Sequence, residues 1–325
     1  MSPFPAISKL KRFLNIWNER KYKQAIATVN QFAMDAVKSK ETQNIDEKGD
    51  LLSRFTVLTY GMERNENSRR EFLRDNIISF IFAGKDLTSI ALTWFFWLLD
   101  GHSHCKNLIR KELATLTLNR PLYLTFDDLK SLNYLHAALS ESMRLFPPVP
   151  VISKSALDDD VLPDGTFVGE GWFADCSVYA MGRMERIWGS DCREFKPERW
   201  LDGNGVYKRL DPFKYPVFGC GYRSCFGREM VYVQMKLVVV AVMNEFEIEV
   251  VGGGGTPEKV VDPPYRVATV LSMKKGLHAR LKKREQTQQQ SYGARVQDGG
   301  VIMALFGLFL VGLSLYKRKL YTTRG

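Results

Sequence analysis

Ten residues constrain this chain more than any others. Phe218 to Gly227 reads Phe-Gly-Cys-Gly-Tyr-Arg-Ser-Cys-Phe-Gly, and an apolar, helix-like run of Met230, Val231, Val233, Met235, Leu237 and Val238 follows at once. Cys225 lies between Gly221 and Gly227, with Arg223 two residues before it. A glycine-rich loop that ends at a helix start aims backbone N–H groups, and the positive end of the helix, at whatever Cys225 carries. Both favour a thiolate over a thiol. A Cβ at 221 or 227 would block close approaches that glycine allows. Arg223 is a permanent cation able to meet a carboxylate of a bound group. The pattern suits a cysteine that ligates one face of a metal while the protein covers its sulfur. The alternative is an inert core cysteine beside an ordinary turn.

The spacing Phe-x-x-Gly-x-Arg-x-Cys-x-Gly from Phe218 to Gly227 resembles the haem-binding loop of the cytochrome P-450 monooxygenases. The resemblance implies a mainly α-helical fold with small antiparallel sheets. It implies haem as cofactor, with Cys225 as its axial thiolate and the metal site. Phe218, Gly221, Gly227 and Arg223 would complete the cofactor loop, Arg223 pairing with a propionate.

The totals fit such a protein without requiring it. A chain of 325 residues makes one large domain or two modest ones. Hydrophobic residues at 45% and charged residues at 25% exclude disorder over the whole length. The 46 basic and 36 acidic side chains leave a formal charge of +10. That balance fits nucleic acid, an anionic membrane or an acidic protein, and composition does not choose among them. Five scattered cysteines, with no zinc-type spacing, point to a reducing compartment and no disulfide framework. The start of the chain has no apolar signal region, so no N-terminal anchor is expected.

Residues 4 to 38 carry apolar positions at helical spacing, 39 to 50 read as a polar loop, and 51 to 59 as a short helix. The apolar run from Arg70 to Leu99 is interrupted at Ala83-Gly84-Lys85-Asp86-Leu87-Thr88. A membrane span is one reading, but Lys85 and Asp86 at mid-span would each cost about 2.5–3.5 kcal/mol. A buried helix through a domain centre is the better one. This run resembles the long distal helix of the same family, whose pattern is Ala/Gly-Gly-x-Asp/Glu-Thr-Thr/Ser. Ala83, Gly84, Asp86 and Thr88 fit it. The resemblance implies that Ala83 and Gly84 let the cofactor or dioxygen approach the backbone, and that Asp86 and Thr88 feed a proton relay. Leu87 stands where the family has a threonine that assists proton delivery, and its side chain can neither donate nor accept a hydrogen bond. Thr88 substitutes for it only if the helix is locally distorted.

Leu132, Leu135, Leu139 and Met143 form an apolar stripe, and Pro147-Pro148 ends that helix. Glu141 and Arg144 share a face three residues apart. Lys196-Pro197-Glu198-Arg199-Trp200 lies upstream of the cysteine loop. The resemblance joins Glu141, Arg144 and Arg199 in a buried structural network that holds this loop. It also makes Val149, Val151 and Ile152 the lining of a lipid-like substrate's pocket. Pro163-Asp164-Gly165-Thr166 is a turn between short strands, and Glu245 to Val250 alternates as a strand. Gly252 to Gly255 reads as a flexible loop. Arg266–Met273 and Gly276–Leu281 read as a hairpin.

These readings divide the chain into a partial helical region at 1–70, a haem-binding core at 71–284, a polar linker at 285–300 and an apolar tail at 301–319. The tail has sixteen uncharged residues before Lys317-Arg318-Lys319, slightly short of a span of about 20, and is a possible membrane anchor. Wording such as Asp164-Gly-Thr, Tyr179-Ala-Met-Gly-Arg and Ile187-Trp-Gly is similar to the plant fatty-acid ω-hydroxylase and jasmonoyl-amino-acid hydroxylase branch. The resemblance therefore implies the C-terminal portion of a monooxygenase that hydroxylates a fatty acid or related lipid. Electrons would come from NADPH through a cytochrome reductase, at the cytoplasmic face of the endoplasmic reticulum membrane, with no nucleic-acid partner. A hydroperoxide-rearranging haem enzyme and an inactive haem-binding remnant are the alternatives.

Overall fold

The computed structural model describes residues 19–41, 51–60, 65–119, 124–256 and 265–284. The readings made at 4–18, 42–50, 285–300 and 301–319 lie outside the described residues. The chain divides into two compact units, Met1–Ala83 and Gly84–Gly325. The division falls inside the long apolar run, later than residue 70.

The first unit packs α1 (Glu19–Glu41), α2 (Leu51–Tyr60) and α3 (Glu66–Phe82) on one another. Ser39 to Glu41 continue α1 rather than opening a loop. Their extension is useful locally, because Glu41 accepts from Arg70 on α3 at 3.0 Å. Asn65 caps α3, its side chain accepting from the Ser68 amide.

The second unit is built on α4 (Thr88–Gly101), α5 (Ser103–Asn119), α6 (Phe126–Ser131), α7 (Asn133–Leu145) and α8 (Arg228–Glu245). Between α3 and α4 the backbone makes a π turn, Ala83–Leu87. The stretch Glu66–Gly101 is long and apolar enough to cross a membrane by composition alone. Its last part, α4, is core instead: Trp94, Phe95 and Leu98 are fully buried. Trp94 stacks on Phe146 at 4.3 Å and donates its indole N–H to the Leu271 carbonyl. Here the apolar side chains of α4 are covered by α7, α5 and the sheet strands, so burial rather than lipid satisfies them.

Among the described residues, four antiparallel two-stranded ribbons join these helices. Strand β1 (Ile152–Ser155) pairs with β4 (Phe173–Cys176), and β2 (Asp160–Val161) pairs with β3 (Phe167–Val168) around the turn at Asp164. Strand β5 (Phe246–Val250) pairs with β8 (Ala279–Lys283), and β6 (Tyr265–Val267) with β7 (Leu271–Met273). The two runs read as one hairpin therefore belong to two ribbons. In this register Glu249 opposes Arg280 and Glu247 opposes Lys282; Lys282 reaches the Glu249 carboxylate at 3.0 Å, while Glu247 turns to Lys106 and Arg110 of α5.

Gly252 to Gly255 is not a free loop throughout. Gly254 and Gly255 are buried against the C-terminus of α4, and the Gly255 amide donates to the Trp97 carbonyl at 2.7 Å. A Cβ on Gly101 would stand 2.6 Å from the Gly255 carbonyl carbon and oxygen. Backbone lies on backbone here, which only glycine permits.

Glu112, Lys236 and His136 are among the titratable groups enclosed in this core. Glu112 of α5 accepts the Tyr134 and Leu135 amides at 2.7 and 2.8 Å, satisfying orphan donors at the start of α7. Burial raises its carboxyl above the usual range. Lys236 donates to the Leu129 carbonyl at 2.7 Å, and burial pulls its ammonium down to about 8. His136 is pulled down to about 3, first by burial and then by Lys236 and Arg228.

Two outcomes are expected. Gly101→Ala should lower unfolding stability by about 1–3 kcal/mol in a urea titration, while Gly203→Ala, with open space beside it, should stay within about 0.5 kcal/mol. The folded His136 stays neutral where the unfolded chain takes up a proton below about 6.5. Its contribution is therefore present above pH 6.5 and is lost as pH falls towards 3. Between pH 7.5 and 5 the loss from this group should be about 2 kcal/mol, and His136→Phe should flatten that slope.

Candidate functional site: the cysteine loop and its support

The cysteine loop is built from two 3-10 turns, Pro216–Phe218 and Gly221–Arg223, ahead of α8. Gly219 and Gly221 have φ of +73° and +67°, which turn the chain tightly enough to bring Cys225 back over Phe218. The Cys225 amide donates to the Phe218 carbonyl at 2.6 Å. Gly221, Tyr222, Arg223, Ser224, Cys225 and Phe226 are all exposed, with Tyr222 fully so. The sulfur is thus presented outward rather than covered by the described residues. Gly227 begins α8 without a side-chain cap, leaving first-turn amides beside Cys225. A Cβ on Gly221 or Gly227 would meet nothing within 4 Å, so the loop has an open face on which a flat group can lie.

The π turn holds the second group of residues. Asp86 is exposed and 3.8 Å from Lys85, and its carbonyl accepts from Ser89. Ala83 is exposed, and nothing lies within 4 Å of a Cβ built on Gly84. Thr88 is 7% exposed, and its Oγ1 is buried with no hydrogen-bond partner among the described residues. Leu87 is only half-buried. An orphaned hydroxyl in a dry place is free to take a further hydrogen-bond partner.

The structure brings Glu141, Arg144 and Arg199 together. Glu141 and Arg144 have wholly buried side chains and share two bonds of 2.7 Å. Arg199 adds its Nε at 3.0 Å. The carboxylate also takes the Lys196 amide and the Trp200 indole N–H, each at 2.9 Å. Those last two donors were not foreseen, although both sit in the Lys196–Trp200 stretch that was singled out. Arg144 spends its remaining donors on the carbonyls of Gly182, Cys192 and Glu194. Gly182 must be glycine because a Cβ would run into the Arg144 carbonyl, which accounts for the glycine of Tyr179-Ala-Met-Gly-Arg. Asp191 is held down to about 2 by hydrogen bonds from Arg199 and then Lys196.

Val149, Val151 and Ile152 form the entry to β1, half-buried to exposed. The Leu271 amide donates to the Pro148 carbonyl at 2.9 Å, so β7 lies alongside them.

A family model described as Cytochrome P450 matches residues 2–276. The chain belongs to the cytochrome P450 family. "Cytochrome P450 94A2" of Vicia sativa is 44% identical over 293 residues, 86% of this chain and 54% of the relative. "Cytochrome P450 94C1" of Arabidopsis thaliana is 44% identical over 272 residues, covering 83% and 54%. "Alkane hydroxylase MAH1" of Arabidopsis thaliana is 36% identical over 283 residues, covering 85% and 54%. The chain spans about half the length of these relatives. The P450 family implies haem with an axial cysteine thiolate. The residues present fit that group: an outward cysteine on an open glycine loop, an uncapped helix start behind it, and an orphaned buried hydroxyl on α4.

Arg144→Met should cost about 3–5 kcal/mol, because it leaves the Glu141 carboxylate buried with one guanidinium instead of two. In a urea titration the double variant Glu141→Gln/Arg144→Met should recover part of that loss.

Proposed function

We propose that the chain is the haem-binding part of a monooxygenase that hydroxylates a fatty acid or related lipid. The observation that carries the reading is the exposed Cys225, set by Gly219 and Gly221 ahead of the uncapped start of α8, in a chain of this family. When bound, haem supplies the dioxygen-activating and C–H-oxidising chemistry, with a thiolate pushing electron density to iron.

The chain's own residues do the rest. Cys225 is the thiolate, and first-turn amides of α8 stabilise its charge. Arg223 pairs with a propionate. Phe218, Gly221 and Gly227 shape the loop, and the Glu141–Arg144–Arg199 network holds the segment that leads into it. Ala83 and Gly84 keep the backbone of the distal turn bare. Val149, Val151 and Ile152 line an apolar pocket, which suits a long hydrocarbon such as the one named for the alkane hydroxylase relative.

Proton delivery falls to Asp86 and Thr88. A π turn takes one residue more than an α turn, which moves each following side chain one position around the axis. Thr88 thereby takes the place that residue 87 has in an uninterrupted helix. The buried, unpartnered Thr88 Oγ1 supports this, and it makes Leu87 compatible with a proton relay. Electrons come from NADPH through a cytochrome reductase, whose acidic face the basic surface of this chain attracts. The setting is the endoplasmic reticulum membrane, on its cytoplasmic face, with the core at 71–284 and the tail at 301–319 as an anchor after the linker at 285–300.

The test is the absorption spectrum of the reduced, carbon-monoxide-bound protein. A thiolate-type band is expected in the unaltered chain and should vanish in Cys225→Ser. Thr88→Val should keep that band while product formed per NADPH falls roughly tenfold or more. An unchanged yield in Thr88→Val would remove Thr88 from the relay. Turnover of a lipid hydroperoxide without NADPH would instead favour the rearranging enzyme.

A further inference from the structure

The network around Glu141 touches the segment before the cysteine loop but not the loop itself. A second polar group, one residue earlier on α7, leads directly to it. Ser140 is buried, and its hydroxyl donates to the His136 carbonyl at 2.9 Å. With its one proton so used, its oxygen has two lone pairs left. Tyr232 of α8 lies at 2.8 Å and Tyr207 at 3.3 Å, so both phenols donate to Ser140. Tyr215 donates to the Ser140 carbonyl at 3.1 Å. The two phenols bonded to the Ser140 hydroxyl clamp the His136 ring between them, with both ring centroids at 3.9 Å. The Tyr207 amide adds a bond to Asn133 at 3.0 Å. Asn133, His136 and Ser140 therefore form a polar stripe along α7.

Tyr232 passes this fixed position outward. Its ring lies 5.6 Å from that of Phe218, the first residue of the cysteine loop. Phe218 is packed against the core and carries the Arg228 guanidinium 5.5 Å over its ring. The Phe218 carbonyl in turn accepts the Cys225 amide. Every loop side chain from Tyr222 to Phe226 is exposed, whereas Phe218 packs against the core and the half-buried Cys220 thiol donates to the Pro212 carbonyl.

We propose that Tyr232, fixed by Ser140 and clamped against His136, is a positioning residue that sets the place of Cys225 through Phe218. Its significance for a haem thiolate rests on the function proposed above; the contact itself does not. Burial raises the Tyr232 hydroxyl well above its ordinary value, so it remains a donor to Ser140 across the physiological range.

Hydrogen exchange of the full chain, with or without haem, tests the idea by mass spectrometry of peptides covering 216–227. Tyr232→Phe keeps the ring and deletes the donor; Ser140→Ala deletes the acceptor. In each, exchange at the Cys225 amide should rise roughly five- to tenfold, the effect of one net hydrogen bond. Peptides covering α5 should not change. Equal exchange in both variants and the unaltered chain overturns the proposal, and so does a uniform rise over all peptides, which marks plain destabilisation. On the haem-loaded protein, the same variants should convert part of the thiolate-type carbon-monoxide band to the form without thiolate. A band missing already from the unaltered chain would count against the haem reading, while the exchange result would still decide the role of Tyr232.

Discussion

A single carboxylate, that of Glu141, ties together more of this protein than any other group. It is wholly buried, an arrangement that is costly unless every lone pair is occupied. Here the bonds come from Arg144, Arg199, the Trp200 indole and the Lys196 amide. The last three belong to one short stretch, so a charge on α7 fixes the course of the chain more than fifty residues later. The chain then runs through Tyr207 and Tyr215, both bonded to Ser140, and on into Phe218. Two neighbouring side chains on one helix therefore hold successive parts of the path that ends at Cys225.

The sequence pointed to a site where residue type and spacing coincide. Phe218 to Gly227 stood out because glycines, an arginine and a cysteine recur there at fixed spacing, whereas Glu141, Arg144 and Arg199 were joined only through the family resemblance, since a Glu-x-x-Arg spacing alone says little. The apolar stripe on α7 was also plain. The polar stripe of Asn133, His136 and Ser140 beside it was not, because Ser and His at helical spacing look like a solvated face. Only the arrival of Tyr207 and Tyr232 from distant positions makes them interior. Glycines misled for a similar reason. Gly252 to Gly255 reads as slack chain, whereas Gly254 and Gly255 serve close contact with Gly101. The strand after Gly276 was seen, but its partner was not, since β5 is separated from it along the chain by the β6–β7 ribbon.

The distal turn shows what local geometry adds to a motif. Leu87 departs from the family's threonine, and in a regular helix that departure would leave an apolar side chain in a polar role. The backbone is π at this point, and the next residue, Thr88, is the one whose hydroxyl is buried and unmatched. Helix type and residue identity have to be read together here. The open space beside Gly84 and the lack of any bulky side chain on Ala83 are consistent with that reading of the turn.

The outward position of the cysteine loop has a consequence for how such a protein can change over generations. Of the exposed side chains at 222 to 226, Arg223 and Cys225 belong to the proposed haem site, whereas Tyr222 and Ser224 can be replaced without disturbing the packed interior. Phe218, Tyr232 and Ser140 lie within that interior, and their replacement disturbs it. Natural variation can therefore retune the surroundings of the sulfur at its rim, while the foundation beneath it is kept from drifting by the same forces that keep the molecule folded.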